Sequence, residues 1–186
     1  MSNTSPRPPD RRRLRVLLVP AAACTATAVL CLAPTAQAVT PTSATATYDC
    51  GSWGSGLATL TPGTSGTTKT IKFTTSASSI QIPAGYSADP NSITTTVKFT
   101  KTSGTTTSTV QFSGTVNPGM VGPVPVTLGA LPLTSGTLAT GDKTDSYQLS
   151  PPASSTNWSL QLTTSSPTSA TVQCVATSLQ SAPFVW

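Results

Sequence analysis

Apolar and polar residues alternate along most of the chain beyond residue 38. Ala44, Ala46, Tyr48 and Cys50 share one parity, as do Ile71, Phe73 and Thr75, and then Ile80 and Ile82. The clearest run sets Ile93, Thr95, Val97 and Phe99 against Thr94, Thr96, Lys98 and Thr100. Val110, Phe112 and Val116 follow, after a stretch in which Ser103-Gly104 favours a hairpin turn. Val124, Val126 and Leu128 repeat the pattern, then Tyr147 and Leu149, then Trp158, Leu160 and Leu162, then Ala170, Val172, Cys174 and Ala176. Successive side chains of a strand point to opposite faces, so this period of two predicts half-buried strands. Gly, Pro, Asn, Asp and Ser fill the gaps, and no stretch beyond the leader has a helical period. The expected fold is all-β: an antiparallel β-sandwich of immunoglobulin-like architecture, with about eight or nine strands. Trp158 should join its core beside Leu160 and Leu162. The hairpin Ile93–Lys101 with Thr107–Val116 should turn Val97, Phe99, Val110 and Phe112 inward and Lys98 outward. A one-residue slip would bury Lys98 and expose the apolar set.

Residues 1–38 follow a different logic. Arg11-Arg12-Arg13-Leu14-Arg15 precedes an apolar stretch from Val16 to Ala33, and Ala36-Gln37-Ala38 fits a signal-peptidase site. This reads as an export signal, cut before Val39, rather than a retained membrane helix, because Pro20 and several threonines interrupt the stretch. The residues before Cys24 and Cys31 do not fit a lipid-anchor site. Residues 39–186 then form a single secreted domain, extracellular or associated with the cell wall, and not membrane-spanning after processing.

Removing the leader changes the charge. All five arginines lie in it, so the net +5 of the 186-residue chain falls to five lysines minus four aspartates, +1. Nucleic-acid binding needs clustered Lys and Arg to displace counterions, so it is not expected. The chain has no His and no Glu. Histidine-based triads and metal sites, and glutamate acids, are excluded at once. Thr and Ser are abundant, but charge is scarce, which argues for strands with Thr-covered faces rather than a disordered stalk. The two cysteines beyond the leader, Cys50 and Cys174, form an even pair in an exported chain and should be disulfide-bonded.

The candidate chemistry is sparse. Asp142 and Asp145 sit in a loop that offers oxygens to a cation, but the closing Glu of an EF-hand is missing, and a solvated turn is the plain reading. Neither a metal nor a cofactor is expected. Lys98 and Lys101 read as exposed lysines guarding a sheet edge. Their alternatives are a Ser–Lys pair, or a Lys–Asn crosslink through Asn91, Asn117 or Asn157. Trp53, among the glycines of Gly51-Ser52-Trp53-Gly54, and Tyr86, between Gly85 and Ser87, are candidate sugar-stacking residues; the plain alternative is that each ring caps the core. Met120, at the apex of the Pro-stiffened segment Val116–Val126, is a candidate inhibitory side chain for a proteinase pocket; an ordinary crossover loop is the alternative. Phe184 and Trp186 should pack on the domain as a final strand or tail.

The Arg-rich leader ending Ala36-Gln37-Ala38, the early Tyr48-Asp49-Cys50 and the late Val172-Gln173-Cys174, with Thr-rich strands between them, carry a resemblance. The chain resembles small secreted actinobacterial proteins of the Streptomyces type, a family of single-disulfide β-sandwich domains with no established function. The resemblance implies secretion and the disulfide, and supplies no catalytic or ligand residues. The function expected is a non-catalytic extracellular or cell-surface domain, with an adhesive, structural or binding role. A carbohydrate-binding module and a secreted proteinase inhibitor are the alternatives. The partner is open, a cell-wall glycan or an extracellular protein.

Overall fold

Local pairing explains most of the architecture. The computed structural model describes residues 38–167 and 169–186; the expected export signal, with Cys24 and Cys31, falls almost wholly outside the described residues. Strands β1 (Ala44–Asp49), β2 (Ser55–Ser65) and β3 (Thr68–Thr75) form a meander, and a 3-10 turn at Gly51–Trp53 joins the first two. Two short strands, β4 (Gln81–Ile82) and β5 (Ser87–Ala88), lead to the long hairpin of β6 (Ile93–Ser103) and β7 (Thr106–Gly114). Two more, β8 (Met120–Val121) and β9 (Val124–Pro125), pair back onto β5 and β4 before β10 (Thr127–Ser135). The chain ends with β11 (Lys143–Ser146), β12 (Leu160–Thr164), β13 (Ala170–Ala176) and β14 (Phe184–Val185).

The hairpin has the register expected from its alternation. Val97 faces Phe112, Phe99 faces Val110 and Lys98 faces Gln111. The four apolar side chains are buried, and the Phe99 and Phe112 rings meet edge to face at 5.5 Å. Trp186 stacks on Phe112 at 5.8 Å, and its indole N–H donates to Thr144 Oγ1 at 2.8 Å. The chain end therefore packs into the core as a side-chain plug.

The sandwich expectation needs correction. Around the wall the order is β12-β13-β1-β2-β3-β10-β7-β6, and β6 pairs again with β12. Eight antiparallel strands thus close into a barrel instead of leaving two open sheets. Two strands make the closure by changing partner along their length. β10 pairs with β3 through Thr127–Pro132 and with β7 through Leu133 and Ser135. β13 pairs with β12 through Ala170–Cys174 and with β1 through Val175 and Ala176. On the other side of the hairpin, β6 splits its outer edge: Ile93–Val97 takes β12, and Phe99–Thr102 takes β11. The apolar faces point into the barrel, and Thr94, Thr96, Lys98 and Thr100 point out. This is the reverse of a lipid-embedded barrel, whose outer band is apolar.

Cys50 and Cys174 are disulfide-bonded, 124 positions apart in sequence. The β1–β13 ladder holds Tyr48↔Ala176 and Asp49↔Val175, and the disulfide occupies the next rung of the same register.

Three segments differ from expectation. β2 was hidden by its glycines and Pro62. Ala58–Leu60 pairs with both neighbours, but Pro62 lies beyond the reach of β1, where β2 has only β3 beside it and a lost N–H matters less. Tyr147 and Leu149 form no strand; Gln148 makes a single bridge to Ala176. Trp158 is not in the core. Ser159 and Leu160 are both buried, which resets the alternation by one residue and leaves Trp158 on the outer side.

Two measurements test this architecture. Replacing Cys50 and Cys174 together should destabilise the protein by about 4–5 kcal/mol, the chain-entropy value for a loop of this size, read from urea unfolding of the oxidised and Cys-free forms. Phe99→Ala should cost roughly 3–5 kcal/mol by the same method, because the ring is fully enclosed.

Candidate functional site

The connection from β11 to β12, residues 147–159, is the longest between consecutive strands among the described residues. It is held in shape internally. The Asn157 amide donates to Ser150 O at 2.9 Å and to Pro152 O at 2.8 Å, and Ser154 and Asn157 exchange backbone hydrogen bonds. Leu149 N donates to Ala176 O at 2.9 Å, docking the loop on β13.

On one side of this loop lies a cleft of about 310 Å³, between Pro151–Ala153 and the wall formed by Asp49–Ser52 and Thr171–Gln173. A second, slightly smaller one of about 280 Å³ is bordered by Gln148–Pro151 and Thr177. The first is at the small end of the range for ligand sites, roughly 300–1,000 Å³. Its lining combines a carboxylate, hydroxyls and an amide with the two proline rings, and Asp49 is its single charged residue. Asp49 Oδ1 accepts the Gly51 N–H at 2.9 Å, which shapes the turn after the disulfide.

The residues singled out from the sequence do not gather here. Trp53 is 7% exposed, and its ring packs into the core as a cap on the turn. The turn needs glycine after it: Gly54 has φ +95°, and a Cβ there would meet Ser79 O at 2.6 Å. Tyr86 is 48% exposed, one residue before Ser87, which pairs with Val121, and it does not line the cleft. Met120 is turned inward at 6% exposure, opposite Ala88, while its neighbour Val121 is 72% exposed. A proteinase pocket approaching this loop would meet Val121 and not Met120. The strict alternation of a two-residue strand decides this, and the sequence showed it only as part of a loop.

Both lysines of the clearest strand depart from the exposed-edge reading. Lys98 is half-buried, with its ammonium 3.4 Å from the centre of the Trp158 ring and 6.0 Å from that of Tyr147. Removal from water lowers its pKa below the ordinary lysine value. Lys98 N also donates to Ser159 O at 2.7 Å, at the point where β6 changes partner from β12 to β11. Lys101 pairs with Asp142 at 3.2 Å, and Lys101 Nζ donates to Thr137 O at 3.0 Å.

Nor is the 142/145 loop a solvated turn. Asp142 is 3% exposed, accepts the Ala139 N–H at 2.8 Å, and has its pKa lowered chiefly by that bond, with help from Lys101. Asp145 Oδ1 accepts from Ser146 N and Gln180 N, each at 2.7 Å. Asp89 Oδ2 accepts from the Ser166 hydroxyl at 2.5 Å. Asn117 is buried on backbone partners: it accepts from Ile93 N and donates to Asp89 O and Pro118 O. Among the described residues no cluster of three or more Cys and Asp side chains is placed to hold a metal ion.

Comparison with family models, with curated proteins and with solved structures finds no match.

The Lys98 site makes a titration prediction. Because its folded pKa lies below the unfolded one, the unfolded chain binds the extra proton between the two values, and this group's contribution makes stability rise with pH in that window. Trp158→Ala should return the amine to water and move its pKa up toward the ordinary lysine range, read by NMR of the lysine Cε. An unchanged midpoint would mean that the ring does not desolvate the amine.

Proposed function

We propose that this chain is a secreted, non-catalytic binding domain whose ligand site is the cleft beside the 147–159 loop, and that its ligand is a neutral, hydroxyl-rich molecule of the cell-wall glycan type. The observation that carries this reading is how the reactive groups are used. Each of the four described carboxylates accepts hydrogen bonds from the chain itself, and both described cysteines are spent in the disulfide. The concave polar surface that remains has hydroxyls and an amide at Ser52, Thr171 and Gln173, and flat proline faces opposite.

A sugar presents the complementary pattern: alternating hydroxyls at its edge and an apolar C–H face. The disulfide is compatible with an extracellular location. The Arg-rich segment Arg11–Arg15, the apolar stretch after it and Ala36-Gln37-Ala38 support export. Rigidity favours the reading as well, because a wall braced by Asn157 and two adjacent prolines has little conformational freedom to lose on binding. The aromatic platform anticipated at Trp53 is not part of this site.

A glycan array probed with the oxidised protein tests the proposal. Binding to neutral glycans is expected, with Gln173→Ala weakening it about tenfold, the loss of roughly one hydrogen bond to the ligand. Binding that is untouched by Gln173→Ala but lost on Tyr86→Ala would move the site to the exposed surface at Tyr86. Signal on no glycan would remove the glycan reading.

A further inference from the structure

Where β1, β11 and the segment 177–181 meet, polar side chains are buried. Tyr48 is 0% exposed, Ser146 1% and Gln180 7%. The Tyr48 hydroxyl, the Ser146 hydroxyl and both polar atoms of the Gln180 carboxamide have no hydrogen-bond partner among the described groups. Two of these residues share an acceptor, since Asp145 Oδ1 accepts the N–H of both Ser146 and Gln180, and Ala176 faces Tyr48 in the β1–β13 ladder while bridging to Gln148, two residues after Ser146.

We infer that Tyr48, Ser146 and Gln180 together bind a buried water molecule that fastens the 177–181 segment to the barrel. Buried polar groups are almost always paired, and each orphan carries a desolvation penalty, so several in one spot call for a shared partner. Internal waters typically make two to four hydrogen bonds. The side chains supply what water needs: two hydroxyls that donate or accept, a carbonyl oxygen that accepts and an amide N–H that donates. A cation fits less well. It would leave the Gln180 N–H unpaired and repel it, and the nearest carboxylate oxygen already serves two N–H groups. Burial pushes the Tyr48 pKa up to about 12, so the phenol stays neutral and keeps its proton for the water throughout the physiological range.

The site has structural consequences beyond its own bonds. Residues 177–181 continue the pairing along β1 after β13 ends: Thr177 N donates to Thr47 O and Ser181 N to Thr45 O. The bound water holds the inner side of the same segment.

A crystal structure that resolves ordered water tests the inference. The expected result is a peak within about 2.6–3.2 Å of Tyr48 Oη and of at least one polar atom of Ser146 or Gln180. A direct Tyr48–Ser146 bond with no peak beside it overturns the inference. Tyr48→Phe supplies a second measurement. Loss of one of the water's bonds should lower the melting temperature by about 2–4 °C, whereas removing a truly orphaned hydroxyl would leave it unchanged or raise it. Gln180→Leu should lower it in the same way and stands in if the first variant does not fold. A melting temperature that is unchanged or raised in the folded variant refutes the water.

Discussion

The barrel depends on its closure between β1 and β13. Every other strand of the wall is joined to a neighbour by a long ladder or a hairpin, apart from the β10–β7 corner. β1 and β13 come from opposite ends of the domain and share only two rungs before the disulfide. The segment after β13 extends this contact, with Thr177 N on Thr47 O and Ser181 N on Thr45 O, but bringing together segments so far apart in sequence still has to overcome a large loop-closure entropy. The Cys50–Cys174 bond removes much of that entropy from the unfolded chain instead of adding contacts to the folded one. It also fixes where the wall of the cleft lies, because Asp49–Ser52 and Thr171–Gln173 flank its two ends.

Hydroxyls take over, elsewhere, the work that charges do in many domains. At points where a ladder breaks, a Ser, Thr or Asn side chain satisfies the stranded backbone group. Thr75 Oγ1 donates to Ile80 O and accepts from Val126 N, bridging the short strands to β3. Ser159 Oγ accepts from Ala176 N at the β12–β13 junction, and Asn117 Oδ1 accepts from Ile93 N at the start of the hairpin. Thr and Ser are therefore abundant for two reasons. On outward positions they suit a half-exposed strand, and at corners they replace missing main-chain partners. The carboxylates are used in the same way, on Gly51, Ala139, Ser146 and Gln180 N–H groups.

What could be read in the sequence follows from where a two-residue period is the whole story. It is so in the β6–β7 hairpin, and there the inward set Val97, Phe99, Val110 and Phe112 and the register were legible. The disulfide was legible from the even pair of cysteines beyond residue 38 and the expectation of export. Closure was not, because it rests on β10 and β13 changing partner part-way, and alternation looks the same whichever strand lies alongside. Trp158 was misplaced because one extra buried residue, Ser159, inverts the parity of everything before it. β11 was concealed by its charges, since Lys143 and Asp145 face outward while Thr144 and Ser146, both polar, face inward. The candidate cleft had no sequence signature at all. It arises from three separate segments, and none of Asp49, Pro152 or Gln173 is distinctive by itself.

The placement of Trp158 and the placement of the cleft have a common cause. β6 must exchange β12 for β11 at Lys98, because no single strand spans its outer edge. The chain leaving β11 at Ser146 and returning to β12 at Leu160 has to travel outside the wall, since the interior is already filled by Phe99, Phe112 and Trp186. On its return Ser159 and Leu160 are both buried, and Trp158 lies over Lys98. Its outward course forms the loop that, against the disulfide-fastened edge, encloses the cleft. A polar concavity on this barrel is thus a by-product of how the core is filled, and the chemistry of its lining is what the exposed ends of β1 and β13 happen to present: one carboxylate, hydroxyls and an amide. Such a surface can match a neutral polyol through several weak hydrogen bonds but offers no strong charge pairing, so selectivity there has to come from shape and from the fixed spacing of donors and acceptors.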